Sequence, residues 1–239
     1  ILRGLVGSEM CIRDSANGLQ LEGGDTHFVS NSDVFFSLEE VGLPEQSSGT
    51  IDFALLTGKA EQTSSLAVLA HRLLNENGMA LCLSNGLGHA EKCIEILGPQ
   101  RVFAATSTHG AWRPSAGVVH WAGKGQTVLG SLPGGPGETE AKPLLDALLS
   151  AGLEPAWSSD GLATIWKKVL LNIAINPLAA LAGVENGALL EPDLFSSAFS
   201  TMLEGAAVAR IERVNIPDNA ELEILLRLSL IHISEPTRP

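Results

Sequence analysis

The chain has 239 residues, 45% of them apolar, enough to bury a substantial core in one large domain or two smaller ones. Its 27 acidic residues outnumber 15 basic ones and give a net charge of −12 with no lysine or arginine cluster, which argues against nucleic acid or an anionic membrane as partner. No apolar run approaches the roughly 18–20 residues of a membrane span, and no signal-peptide pattern occurs, so a cytoplasmic protein is the expectation.

The two ends share a peculiarity that protein physics does not explain. Codons can be chosen so that the DNA encoding "LVGSEMCIRDS" (Leu5 to Ser15) has a complementary strand that reads "LSLIHISEPTR" (Leu228 to Arg238). One inverted repeat thus brackets the chain and looks like a translated sequencing adapter, so Ile1–Ser15 and Leu228–Pro239 are set aside from functional reasoning. Their removal takes away Arg3, Arg13, Arg238, Glu9, Asp14 and Glu235 and leaves the net charge at −12. Cys11 goes too; Cys82 and Cys93 remain without the spacing of a zinc site or a disulfide framework and read as buried free thiols.

From Thr50 onward, short apolar runs alternate with helical patterns, the mark of a parallel α/β sheet. "IDFALLTG" (Ile51 to Gly58) is a buried strand. Leu66, Leu69, Leu73 and Leu74 then fall at helical spacing, with Gly78 in "NENG" as the expected C-terminal cap. "MALCLS" is a second strand, "GHAEKCIEIL" a second helix and "RVFAATS" a third strand. "AGVVHWAG" and "QTVLGSL" read as a hairpin turning at Gly123–Gly125. The "PGGPGE" loop precedes a helix, "TEAKPLLDALLSAG". Beyond "EPAWSSDG" the alternation stops and two long helices follow, Leu162 to Gly183 and Pro192 to Arg213, which places a domain boundary near Asp160. The expected organisation is a partial Rossmann-type α/β domain over 16–159 and a partial all-helical domain over 160–227.

No complete Gly-x-Gly-x-x-Gly or Walker-type loop is present; "SNGLGHAE" carries Glu91 where the third glycine would stand and reads first as a strand-to-helix turn. His109 lies just past a strand end, where ligand groups collect in open sheets, yet a lone histidine there is scaffold before it is a general acid or base. His27, His71, His89 and His120 lack metal-ligand spacing. In the first long helix, Lys168, Asn172 and Asn176 stand at i, i+4 and i+8, on one face with a drift of about 40° per step. Among so many apolar neighbours they need partners. An internal hydrogen-bond network between helices and a polar stripe lining a cleft both satisfy that need; in the second case the lysine can donate a proton and the amides can orient the oxygens of a small acid.

"LLTGKAEQT", "LSNGLGHAE", "AATSTHGAWR" and "WKKVLLNIAINPLAALAGVENGALL" together resemble blocks of the ketopantoate reductase family. The resemblance implies a Rossmann domain, a helical domain and an active site between them. It also implies NADPH-dependent reduction of 2-dehydropantoate, a small 2-keto acid, to (R)-pantoate in pantothenate and coenzyme A synthesis. By the same resemblance Lys168 is the proton donor, and Asn172, Asn176 and Asn186 bind substrate. Asn85 contacts both nicotinamide and substrate; Lys59, the backbone at Ala111 and, more weakly, Gln62 meet the cofactor. The family's Gly-rich first turn and its later Ser- and Glu-bearing blocks are not found, so the 239-residue chain by itself is expected to lack turnover. A reductase for another 2-keto or 2-hydroxy acid and a non-catalytic nucleotide-binding homologue remain as rival readings.

Overall fold

The computed structural model describes residues 5–6, 19–23, 27–29, 36–37, 48–115 and 117–216. Leu228–Pro239, most of Ile1–Ser15 and Cys11 lie outside the described residues. The strands are β1 (Leu5–Val6), β2 (Leu19–Glu22), β3 (His27–Val29), β4 (Phe36–Ser37), β5 (Ile51–Leu56), β6 (Leu74–Cys82), β7 (Val102–Ser107), β8 (Gly110–Ser115), β9 (Val118–Gly123), β10 (Thr127–Gly130) and β11 (Pro155–Ser158). The helices are α1 (Thr63–Leu73), α2 (His89–Leu97), α3 (Glu138–Ser150), α4 (Gly161–Ala182) and α5 (Pro192–Ile211). β1 pairs with β4 in parallel.

The central sheet has the order β11-β10-β7-β6-β5, in which β5, β6 and β7 run parallel and β10 lies antiparallel to β7. Its middle strand is buried on both sides, which is why it reads as a continuous apolar run instead of an alternation. Val102 and Ala104 pack with Ala67, Ala70 and Cys93 of α1 and α2, whereas Phe103 and Ala105 pack with Ala141, Leu144 and Leu148 of α3. One strand therefore serves two cores, its successive side chains pointing to opposite faces. The arrangement is a Rossmann-type α/β layer followed by a helical segment.

Three sequence expectations need correction. β9 and β10 do not form a hairpin: β9 belongs to a second sheet of order β3-β2-β9-β8, where it runs antiparallel to β8, while β10 joins the central sheet. The apolar runs on both sides of Gly123–Gly125 are equally compatible with one sheet or two, and the partners across each strand decide the matter. Gly78 does not cap α1, which ends at Leu73; it sits inside β6 at an irregularity in the pairing with β5, where a Cβ would come within 2.6 Å of the Ile51 carbonyl oxygen. Arg101 secures this bulge, donating from Nε to the Gly78 carbonyl and from Nη2 to that of Asn75, each at 2.7 Å. Finally, α4 is long and apolar enough, by length and composition, to cross a membrane, which the search for an uninterrupted apolar run overlooked.

α4 owes that composition to two packing duties. Ile165 and Val169 enter the core beneath the central sheet, while Trp166, Leu170 and Ala174 pack with Ala198, Met202 and Ala206 of α5. A helix apolar on two sides belongs between layers of a folded core. β11, to which the sequence patterns assign no element, pairs in parallel with β10 as the last strand before α4.

Candidate active site

Because β5, β6 and β7 are parallel, the three segments that leave their carboxyl ends emerge along one edge of the sheet. This is where open α/β sheets bind ligands, since the connecting turns there present backbone amides and helix N-termini. β5 leads through Thr57 and Gly58 to Lys59, whose side chain is exposed. Its backbone N–H donates to Gln62 Oε1 at 3.1 Å, and the Gln62 N–H donates to the Lys59 carbonyl at 2.9 Å. Gln62 thus spends its amide oxygen on closing the turn before α1.

β6 leads to an exposed Asn85 and then to Gly86, held at φ +102, a conformation that a side chain would strain. Beneath that turn the His89 ring is buried, and its Nδ1 is hydrogen-bonded to the Thr63 hydroxyl at 2.9 Å. β7 leads to His109 and into β8, where Ala111 is exposed and pairs with Trp121. His109 Nδ1 accepts from the Gly125 N–H at 3.0 Å. Its Nε2 is buried with no partner among the described residues, and burial pushes the imidazole below its ordinary pKa of 6.5 despite the opposing pull of Glu154. With Nδ1 accepting, the proton of the neutral ring resides on Nε2.

The polar stripe rides on α4. Asp160 caps that helix by accepting from the Ala163 N–H at 2.8 Å. The Gly161 N–H donates to the Ser131 carbonyl at 2.7 Å, so the helix begins beside the end of β10, opposite Ala104 of β7. Val169 packs against the cluster that includes Leu56 and Cys82, the last residues of β5 and β6. The helix lies against β7 and β10 of the central sheet, and Lys168, the residue before Val169, is half-buried. Asn172 is half-buried and Asn176 exposed, and neither side chain hydrogen-bonds to another described residue. Among the described residues, no interhelical network takes up the two amides. Asn176 lies about 12 Å further along the helix axis than Lys168. Asn186, half-buried, opens the 3-10 turn Asn186–Leu190 and belongs with the helical segment, not with the sheet edge.

A separate pocket of about 330 Å³ at the start of α4, lined by Ser131, Leu132, Pro133, Ser159, Asp160 and Leu162, contains none of these residues. Cys82 and Cys93 are free and buried, as the sequence suggests, and hydrogen-bonded to each other; that bond and burial raise the Cys82 thiol far above its usual range. No group of three or more His, Cys, Asp or Glu among the described residues is placed to hold a metal.

The model of the family described as ketopantoate reductase PanE/ApbA matches residues 9–134, and that of its C-terminal domain matches residues 160–231. The chain belongs to the ketopantoate reductase family. The matched ranges reach into both end segments read as adapter, over Glu9–Ser15 and Leu228–Ile231. Among curated relatives of this ketopantoate reductase family member, the 2-dehydropantoate 2-reductase of Halobacterium salinarum is 34% identical over 169 residues, covering 70% of this chain and 55% of the relative. That of Pyrococcus horikoshii is 32% identical over 177 residues, covering 74% and 57%. The chain thus spans little more than half the length of these relatives. The crystal structure of 2-dehydropantoate 2-reductase from Geobacter metallireducens superposes with a TM-score of 0.82 at 23% identity, over 98% of this chain and 76% of that one. A D-mandelate dehydrogenase solved with NADH and anilino(oxo)acetate gives 0.80 at 21% identity, over 95% and 71%. These two likenesses establish the shared fold.

Within that frame, sequence reading missed Thr63 and His89. A signal existed: each is the first residue of a helix that follows a strand, and parallel winding sets such positions side by side.

Proposed function

We propose that the whole protein reduces 2-dehydropantoate to (R)-pantoate with NADPH. The observation that carries the proposal is the convergence of exposed Lys59 and Asn85 on the carboxyl edge of three parallel strands, with Lys168 on the helix that packs along the third of them, β7. Relatives named for this activity, two of them at 34% and 32% identity, support it.

The residues fit a nicotinamide nucleotide. The Gly86 turn exposes backbone where a ligand can approach closely, and Asn85 and Lys59 stand on both sides of it in hydrogen-bonding reach of solvent. When bound, the nucleotide supplies the hydride. Asn85 orients both nicotinamide and substrate, while Lys59, the Ala111 backbone and Gln62 hold the nucleotide. Because the Gln62 amide oxygen already accepts from the Lys59 N–H, its contact is left to the amide nitrogen. Lys168 gives its Nζ proton to the substrate oxygen as the carbonyl carbon is reduced. Asn172, Asn176 and Asn186 hold the carboxylate and hydroxyl oxygens, a demand that accords with two amides on an otherwise apolar helix having no hydrogen-bond partner among the described residues. Cytoplasmic placement accords with two free, unpaired cysteines, and the net charge of −12 accords with a partner that is neither nucleic acid nor membrane.

The test is NADPH oxidation by the whole protein with 2-dehydropantoate beside a panel of 2-keto acids, repeated with NADH. Preference for 2-dehydropantoate with NADPH is expected. Turnover only with another 2-keto acid would transfer the assignment to a related dehydrogenase, a reading that the likeness to a D-mandelate dehydrogenase favours. Nucleotide binding without turnover of any 2-keto acid would leave a non-catalytic nucleotide-binding homologue.

A further inference from the structure

Thr63 and His89 are two of only three buried polar side chains among the described residues. Each opens the helix that follows a site-bearing turn. Thr63 comes directly after the Lys59–Gln62 turn, and His89 directly after Ser84–Gly88. The 2.9 Å hydrogen bond between the hydroxyl of Thr63 and His89 Nδ1 spans 26 residues of sequence and is the one side-chain hydrogen bond recorded between the two turn-helix units. The imidazole also supports its own turn from below, since a Cβ built on Gly86 would stand 3.6 Å from His89 Nε2. Threonine at a helix start is ordinarily free to cap its own helix or face water. Here its hydroxyl is directed sideways into the neighbouring unit.

We propose that Thr63 and His89 are positioning residues: their hydrogen bond fixes the distance between the Lys59 turn and the Asn85 turn, and so the shape of the nucleotide-binding edge. The nucleotide part rests on the function proposed above; the mechanical part does not. Without the bond, the two units keep the β5–β6 pairing, the Leu83 N–H to Leu56 carbonyl bond and the apolar packing of α1 on α2. They lose the polar tie between the two helix starts, and the two ligand-bearing side chains are less closely coupled. A nucleotide then has to order them as it binds, and loses affinity accordingly.

Four variants of the whole protein test this. Thr63→Val removes the hydroxyl at nearly constant shape, and His89→Gln moves the amide away from the Nδ1 position. Thr63→Ser keeps the hydroxyl, and His89→Asn places an amide nitrogen close to that of Nδ1. The first readout is amide exchange at hydrogen-bonded positions in each unit: Lys59 and Gln62 on one side, Leu83 and Lys92 on the other. Thr63→Val should speed exchange about tenfold at Leu83 and Lys92, and His89→Gln should do so at Lys59 and Gln62, with the two conservative variants restoring protection. Acceleration confined to the unit that carries the substitution overturns the proposal. The second readout is NADPH affinity by fluorescence titration, expected to weaken about tenfold in Thr63→Val and His89→Gln and to recover in Thr63→Ser and His89→Asn. If the unaltered chain binds no NADPH while exchange is coupled across the units, the nucleotide reading fails and the clamp stands. If NADPH binds the uncoupled variants as tightly as the unaltered chain, the clamp has no part in positioning.

Discussion

Gly125 donates its backbone N–H to His109 Nδ1 at 3.0 Å, and a Cβ at Gly125 would collide with the Thr108 carbonyl and the His109 backbone nitrogen. Bond and contact, beside the hydrogen bonds between Thr108 and Gln126, tie the crossing from β9 to β10 onto the crossing from β7 to β8. The colliding atoms are backbone and cannot rotate aside. Gly125→Ala should therefore destabilise the fold by about 2–4 kcal/mol, read as a lower urea midpoint with unchanged slope. An alanine variant of unaltered midpoint would show that the crossing has room to relax.

The same contact gives His109 a pH signature. Burial holds its folded pKa below the ordinary 6.5, so below that value the unfolded chain binds a proton that the folded chain resists. The stabilising contribution is fully present above pH 6.5 and is lost as pH falls through the folded pKa. His109→Asn keeps an acceptor for the Gly125 N–H but cannot titrate. Between pH 7.5 and pH 5 the unaltered protein should lose more stability than His109→Asn in urea titrations; equal losses would remove burial of the neutral ring as the cause.

How far the sequence led differs by element. Continuous apolar runs found β5, β6 and β7, and period-3.6 patterns found α1–α3 and the two long helices, because those segments bury faces whose signal is local. The hairpin reading of β9 and β10 failed since strand partnership is a long-range fact, and β11 went unseen because "PAWS" is half-buried and four residues long. Gly78 misled for a related reason: a glycine after an apolar helix serves a cap and a bulge equally well, and only the approach of Ile51 separates them. At the site, the stripe on α4 was legible through spacing, whereas the Thr63–His89 bond joins residues 26 apart and leaves no periodic trace.

Cys82 and Cys93 offer a chemical check on the packing between β6 and α2. Alkylation requires an accessible thiolate. The interaction with Cys93 and burial keep Cys82 protonated, whereas the interaction with Cys82 lowers the Cys93 pKa, so Cys93 is shielded by its complete burial. In native buffer at pH 8, iodoacetamide should leave both residues unmodified by peptide mapping, while the same reagent in denaturing urea should label both. Native labelling of Cys82 would mean that β6 and α2 separate readily.

The start of α4 is set by Asp160, which accepts from Ala163 N–H while its own carbonyl accepts from the Thr164 hydroxyl at 2.9 Å. Asp160→Ala should cost about 1 kcal/mol, and Asp160→Asn only a few tenths, because the amide oxygen caps as well. Thermal melts distinguish the two; equal losses would point to charge instead of the cap.

Lys168 and Asn172 sit one helical turn apart but should fail differently. A proton donor acts in the transition state, so Lys168→Ala in the whole protein should lower kcat by about 10²–10⁴-fold with little change in the KM for NADPH. Asn172 is proposed to hold the substrate before and during reaction alike, so Asn172→Ala should chiefly raise the KM for the 2-keto acid. Steady-state kinetics with each substrate varied in turn separates these outcomes. If Lys168→Ala retains kcat, proton delivery comes from elsewhere, and the half-buried lysine beside Val169 supports the helix without taking part in the chemistry.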